Sequence, residues 1–158
     1  MTSQIRSPLI GVDRLWDSRV GGDLAFLLAR ANAISLTRVN TALAPFGLKV
    51  RSYTVLSLAA EGGRPSQRDL SEFLRLDPSQ IVALVDQLES DGLVCREPDP
   101  ADRRANVVVA TEEGRERHHR ARAAVRIAEQ EVFAAFSAED LGKLTTLLRP
   151  LANAPDID

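Results

Sequence analysis

Several things are scarce in this chain of 158 residues, and each scarcity removes a class of protein. A single cysteine, Cys95, excludes an intramolecular disulfide framework and a cysteine-rich zinc site, and it suits a reducing compartment. Aromatic residues make up only 4%, so the core must be aliphatic, built from Leu, Val, Ile and Ala. No apolar run approaches the ~18 residues needed to span a bilayer, so no membrane partner is expected. The opening MTSQIRSPLIGVD lacks the long apolar centre of a secretion signal, and the expected compartment is the cytoplasm. The chain shows no Ser/His/Asp or Cys/His pairing with an orienting group, no glycine-rich phosphate loop and no metal-ligand spacing. An enzyme is therefore not expected, and no catalytic residue, cofactor or metal is assigned. Neither sign of charge dominates: 20 cations against 22 acids give a net charge of −2. That excludes a polybasic tail but leaves room for a local basic site. Lysine is nearly missing, at Lys49 and Lys143 only, so 18 of the cations are arginine. Arginine's planar fork suits phosphate and groove recognition better than a point charge does.

What is present is ordinary globular material, with 44% hydrophobic and 27% charged residues in a length that suits one domain. Residues 1–12, broken by Pro8 and Gly11, read as a loose arm, and residues 153–158 as a tail. A first helix is predicted from Asp13 to Ala44, with a break at Gly21-Gly22 left open; Leu24, Leu27, Leu28, Ala31 and Ile34 give it an apolar face. Pro45-Phe46-Gly47 ends it, and a second helix is predicted over Lys49–Glu61. Ser66 followed by Asp69 announces a short helix over Gln67–Leu74. Asp77-Pro78 with Gln80 announces another that stops at Gly92. A strand-like run Leu93–Glu97, a Pro/Asp turn and the β-branched Val107-Val108-Val109 make a hairpin with Asp102-Arg103-Arg104 at its tip. Thr111 with Glu112 and Glu113 starts a long helix, and Ser137 with Asp140 starts the last one, bearing Leu141, Leu144, Leu148 and Leu151. The predicted fold class is mainly α with a small two- or three-stranded β-wing.

A short helix, a tight turn and a capped second helix followed by a hairpin form a winged helix-turn-helix unit, whose second helix is wide enough to fill a DNA major groove. On Pro78–Glu89 the side away from the apolar stripe offers Ser79, Gln80, Val82, Ala83, Asp86 and Gln87. Gln80 could pair with adenine, and Val82 or Ala83 could meet a thymine methyl. Ser79 and Gln80 have a second reading, as caps of their own helix. Arg68, Arg75 and Arg96 flank the helix and hairpin as phosphate contacts or as plain surface arginines. Ser66 is a helix cap on either reading, at a terminus that also suits phosphate.

The run Gly92–Ala105, with GLV-C-R, DP-A-DRRA and then Val107–Thr111 and Glu113-Gly114-Arg115, resembles the wing of MarR-type transcriptional regulators. The resemblance extends over residues 13–152. It implies a homodimer whose outer helices, 13–46 and 112–152, interleave with a partner's, and a DNA-binding lobe over 47–111. It further implies double-stranded DNA with a pseudo-palindromic operator as partner, Pro78–Asp91 in the major groove, and Arg104 beside Arg103 in the minor groove with Asp102 holding the guanidinium. A small aromatic ligand that releases DNA is also implied. The chain departs from the family pattern at Ala83 and Gln87, where basic or hydroxyl residues are frequent, and at Cys95.

Other residues carry two readings each. Trp16, with Arg19 nearby, either lines a pocket for an aromatic ligand or anchors a terminus. Cys95 is either a packed small residue or a redox-sensing thiol. The arginine-rich run Arg115–Arg126 is either a solvated helix face or the wall of an anion-binding cleft, and His118 and His119 point ~100° apart, which opposes a shared metal. The competing functions are a ligand-responsive DNA-binding regulator, a regulator that senses redox state through Cys95, and a winged-helix interaction module without DNA.

Overall fold

A computed structural model describes residues 12–102 and 104–155. The arm over residues 1–11, Arg103 and the last three residues of the tail lie outside the described residues. In chain order the elements are α1 (Asp13–Trp16), α2 (Leu24–Leu43), α3 (Val50–Ala60), α4 (Gln67–Leu74), α5 (Pro78–Ser90), β1 (Val94–Pro98), β2 (Asn106–Ala110), α6 (Glu112–Val132) and α7 (Ala138–Ala152). Among the described residues the protein is mainly helical with one two-stranded antiparallel sheet, as the sequence predicts. Among the described residues no helix is long and apolar enough to cross a membrane.

The predicted first helix is two helices. A tight turn over Arg19–Gly22 separates α1 from α2. The reason is local: a Cβ on Gly21 would lie 2.4 Å from the carbonyl oxygen of Trp16, so only glycine lets the chain fold back at that point. The chain divides into two compact units, one ending at Thr37 and one beginning at Arg38. In the first, Trp16 meets Phe26 edge to face at 6.1 Å, and the Arg30 guanidinium lies over the Trp16 ring at 5.2 Å.

The second unit holds the core. Leu43, Val55, Leu56, Leu70, Ile81, Val85 and Leu88 are buried with Val94 and Val108 of the sheet and Ala121 of α6. Asn40 Oδ1 accepts the backbone N–H of Val50 at 2.9 Å, which caps α3 from the preceding helix. The strands pair in the register Val94 with Ala110, Arg96 with Val108 and Pro98 with Asn106. A third strand is reduced to one bridge between Ser66 and Val107, reinforced by Val108 N–H donating to the Pro65 carbonyl at 2.8 Å. This tie fixes the loop before α4 to the root of the wing.

The junction between wing and α6 is tighter than its sequence suggests. Thr111 Oγ1 accepts from Gly114 N at 3.0 Å and donates to the Gly92 carbonyl at 2.7 Å, and Thr111 N donates to the Leu93 carbonyl at 3.0 Å. A Cβ on Gly114 would lie 1.9 Å from that Leu93 oxygen. The glycine is needed for close approach between two segments, not for an unusual backbone angle.

Candidate nucleic-acid interface

Both helices of the helix-turn-helix are started by reciprocal caps. Ser66 Oγ accepts from Asp69 N at 3.1 Å, while Asp69 Oδ2 accepts from Ser66 N at 2.8 Å. The Ser66 hydroxyl, helped by its backbone N–H, holds the Asp69 carboxyl below its ordinary range. At α5 the Asp77 carboxylate accepts from Ser79 N at 3.1 Å and from the Ser79 hydroxyl at 2.9 Å, and Gln80 Oε1 accepts from Asp77 N at 3.3 Å. Pro78 occupies the first helical position. Gln80 thus closes the cap of its own helix, while Ser79 is held by the Asp77 cap.

Burial sorts α5 into two faces. Ile81, Val85 and Leu88 point into the core, whereas Ser79, Gln80, Val82, Ala83, Asp86 and Gln87 are exposed. Val82 is 40% exposed, and Ala83 lies beside it. Gln87 Nε2 donates to Asp91 Oδ1 at 3.0 Å. The exposed face is polar and small-sided, a surface that base edges can approach closely.

The hairpin tip is shaped by short acidic turns. Asp99 Oδ1 accepts from Ala101 N at 2.8 Å, and Asp99 N donates to the Ala105 carbonyl at 2.9 Å. Asp102 Oδ1 accepts from the backbone N–H of Arg104 at 3.0 Å. The resemblance implied that Asp102 grips the Arg104 guanidinium; it organises that residue's backbone instead. A carboxylate two residues before an amide closes a ten-membered ring that mimics a backbone turn. Arg104 is exposed, and Arg103 is outside the described residues.

The flanking arginines part company. Arg68 is well exposed and pairs with Glu72 at 2.9 Å, whose hydrogen bond raises its pKa. Arg75 ends α4 with φ 51° and donates Nη2 to the Ala154 carbonyl. Arg96, expected at a phosphate, is committed inside the lobe. Its Nε donates to Gln67 Oε1 at 2.9 Å, Nη2 to Asp86 Oδ1 at 2.5 Å and Nη1 to Glu89 Oε2. Burial works against its charge, but the bonds to Asp86 and Glu89 outweigh that and raise its pKa. The sequence left Arg96 as either a phosphate contact or a surface arginine; its acceptors come from two helices, which no local pattern reveals.

Arg64, which sequence reasoning passed over, joins the loop before α4 to the wing. It has φ 43° after Gly62-Gly63, and its guanidinium bridges to Glu97 of the wing at 2.8 Å. Cys95 is half-buried, and its sulfur lies 3.9 Å from Glu97 Oε1, so its polar neighbour is an acid rather than a cation. Trp16 and Arg19 fall in the first unit. His118 is buried and stacked on Tyr53 at 5.8 Å while His119 is exposed, so the two do not share a face. Burial pushes the His118 pKa down; Glu61 opposes this, and Arg122 and His119 reinforce it. In the arginine-rich run Arg115 donates to the Ala110 carbonyl at 2.6 Å and Arg117 pairs with Glu113 at 2.8 Å.

The profile of the MarR family matches residues 48–105, which is α3 to the hairpin tip. CouR from Rhodococcus jostii RHA1, solved with bound p-coumaroyl-CoA, is 41% identical and superposes with a TM-score of 0.81 over 89% of this chain and 100% of that one. A putative transcriptional regulatory protein for the hcr operon of Thauera aromatica is 31% identical over 133 residues, 84% of this chain and 80% of its own. A MarR family protein of Mycobacterium tuberculosis, solved in complex with DNA, is 26% identical with a TM-score of 0.67, over 82% of this chain and 98% of that one.

Proposed function

This chain belongs to the MarR family of transcriptional regulators, and on that premise we propose that it is a homodimeric repressor that reads a pseudo-palindromic operator and releases it on binding a small aromatic ligand. The observation that carries the reading is the exposed face of α5. Six side chains from Ser79 to Gln87 stand clear of a helix whose opposite side is sealed into the core, next to a hairpin that presents Arg104. Val82 and Ala83 suit thymine methyls, Gln87 and the free amide of Gln80 suit base edges, and the exposed Arg68 suits a phosphate. The relative solved with DNA supports double-stranded DNA as the partner. Two lobes related by a two-fold axis would read half-sites about 34 Å apart.

The ligand half of the reading rests on chemistry of one class. The relative with bound p-coumaroyl-CoA supports an aromatic acid or its thioester as effector. In the first unit Trp16, Phe26 and Arg30 together offer aromatic faces and a cation, with Arg19 in the turn between the helices. That combination suits an aryl carboxylate.

The test is to select DNA from a random pool with the purified protein, then measure affinity for the selected site across a salt series. We expect a two-fold symmetric site and a steep fall of affinity with salt. Arg104→Ala should weaken binding about tenfold and lower the salt slope by about 0.9 per wing, with the dimer intact. Free p-coumaric acid and p-coumaroyl-CoA, added separately to the complex, separate the acid from the thioester as effector. Absence of any selected sequence at low salt would leave the interaction-module reading in its place.

A further inference from the structure

Arg96 lies in β1 opposite Val108, two residue pairs short of the end of the ladder. Its guanidinium is used on every side. Nε goes to Gln67 at the first position of α4, and Nη2 and Nη1 go to Asp86 and Glu89 on the last two turns of α5. The backbone N–H of Arg96 also donates to Glu89, to Oε1 at 3.1 Å, so this one carboxylate holds both the strand and its side chain. Only 23% of the Arg96 side chain is exposed, against 59% for Asp86 and 39% for Glu89. Three of its five N–H donors are thus engaged, and a phosphate at Arg96 would have to share the guanidinium with two carboxylates.

From this geometry we propose that Arg96 is a positioning residue for DNA recognition: it braces the wing against α4 and α5, fixing where the hairpin tip stands relative to the reading face, and makes no phosphate contact itself. The proposal rests on the DNA-binding reading above. Two physical consequences follow. Asp86 stands on the exposed side of α5, where an unpaired carboxylate would repel DNA; the guanidinium offsets its charge and that of Glu89. The brace also sits at the root of a lever. Beyond Arg96 the strand runs on to Pro98 and then to the tip, so a small rotation at the root displaces Arg104 by more than it moves β1. Lysine cannot replace it, because three acceptors on three sides need a planar fork with separate donors rather than one ammonium.

The experiment compares wild type, Arg96→Lys, Arg96→Gln and Asp86→Ala on the operator selected by the wild-type protein, reading affinity, salt slope and footprints. Hydroxyl-radical cleavage reports the minor groove, where the tip would lie, and guanine methylation reports the major groove. We expect Arg96→Lys and Arg96→Gln to bind about tenfold more weakly with the wild-type salt slope, losing minor-groove protection and keeping major-groove protection. Asp86→Ala leaves Arg96 in place and removes one anchor, so it covers the case in which both Arg96 variants fail to fold. It should also lose minor-groove protection, although simple electrostatics would tighten it. Wild-type affinity for Arg96→Lys together with a slope lowered by about 0.9 per lobe for Arg96→Gln would make Arg96 a phosphate contact and overturn the proposal. Unchanged footprints in all three variants would overturn it as well. A wild-type protein that selects no DNA overturns the DNA-binding reading and this proposal together, a result distinct from either of those.

Discussion

Between Leu48 and Ala128 the inward-facing apolar residues of the helices are sealed away: Leu56, Leu70, Ile81 and Val85 are 0% exposed. Along α7 a similar leucine spacing buries nothing. Leu147 is 74% exposed, Leu151 58% and Leu148 37%, and no residue of that helix is buried. The first unit is like α7, with Leu24 at 70% and Ile34 at 51%. Both regions have sound local chemistry; α7 has a full reciprocal cap, with Ser137 Oγ accepting from Asp140 N at 3.1 Å. The difference is therefore not helix propensity but the presence of something to pack on. The winged lobe completes itself within one chain, whereas the outer helices carry apolar stripes that one chain leaves in water. An amphipathic helix draws most of its stability from the face it buries, so these stripes favour the homodimer proposed above.

The comparison breaks most visibly if α7 loses its stripe. Leu147→Glu with Leu151→Glu should raise the dissociation constant of the proposed homodimer by roughly 10,000-fold or more, since each leucine is worth about 1.5–3 kcal/mol when buried and two-fold symmetry counts it twice. Sedimentation would read the shift to monomer. Because the lobe has its own core, its helical circular dichroism should persist.

A smaller effect sharpens the other side of the contrast. Gly114→Ala drives a methyl into the Leu93 carbonyl, 1.9 Å from the built Cβ, and α6 must move away from the wing. We expect a loss of about 2–3 kcal/mol in denaturant unfolding, in the range found for overpacked sites. An unchanged midpoint would mean that the junction yields freely.

The smallest effect should come from pH. His118 is buried against Tyr53, its Nε2 has no hydrogen-bond partner, and burial lowers its pKa. Its folded-state pKa lies below the unfolded value, so the unfolded chain takes up the proton first as pH falls. The stability of the neutral form is then complete above the unfolded pKa of about 6.5 and is lost as pH drops toward the folded pKa. Unfolding measured at pH 7.5 and pH 5.5 should show this loss, and His118→Phe should flatten it.

Much of the lobe was legible because it is specified within four residues. Ser66 with Asp69, Asp77 with Pro78 and Gln80, and Ser137 with Asp140 each start a helix where the sequence says one starts. The break at Gly21-Gly22 and the two faces of α5 are legible for the same reason. Partners separated in sequence were not. Arg96 reaches Asp86, Glu89 and Gln67, 10, 7 and 29 residues away, and no local pattern selects these over a phosphate. Asp102 was assigned to a side chain and serves a backbone N–H, a choice made by turn geometry. Arg64 gave no signal beyond following two glycines.

The sequence by itself determined the element order, the caps, the exposed face of α5 and the apolar stripes of the outer helices. These follow from short-range hydrogen bonding and from periods of two and 3.6 residues, which need no tertiary contact to be written. The tertiary structure alone decided which charges are already spent, that Gly114 makes room for Leu93, and that α7 is left uncovered. Those outcomes depend on distances between segments far apart in the chain, and a guanidinium or a leucine has the same letter whether its partner is beside it or in another molecule.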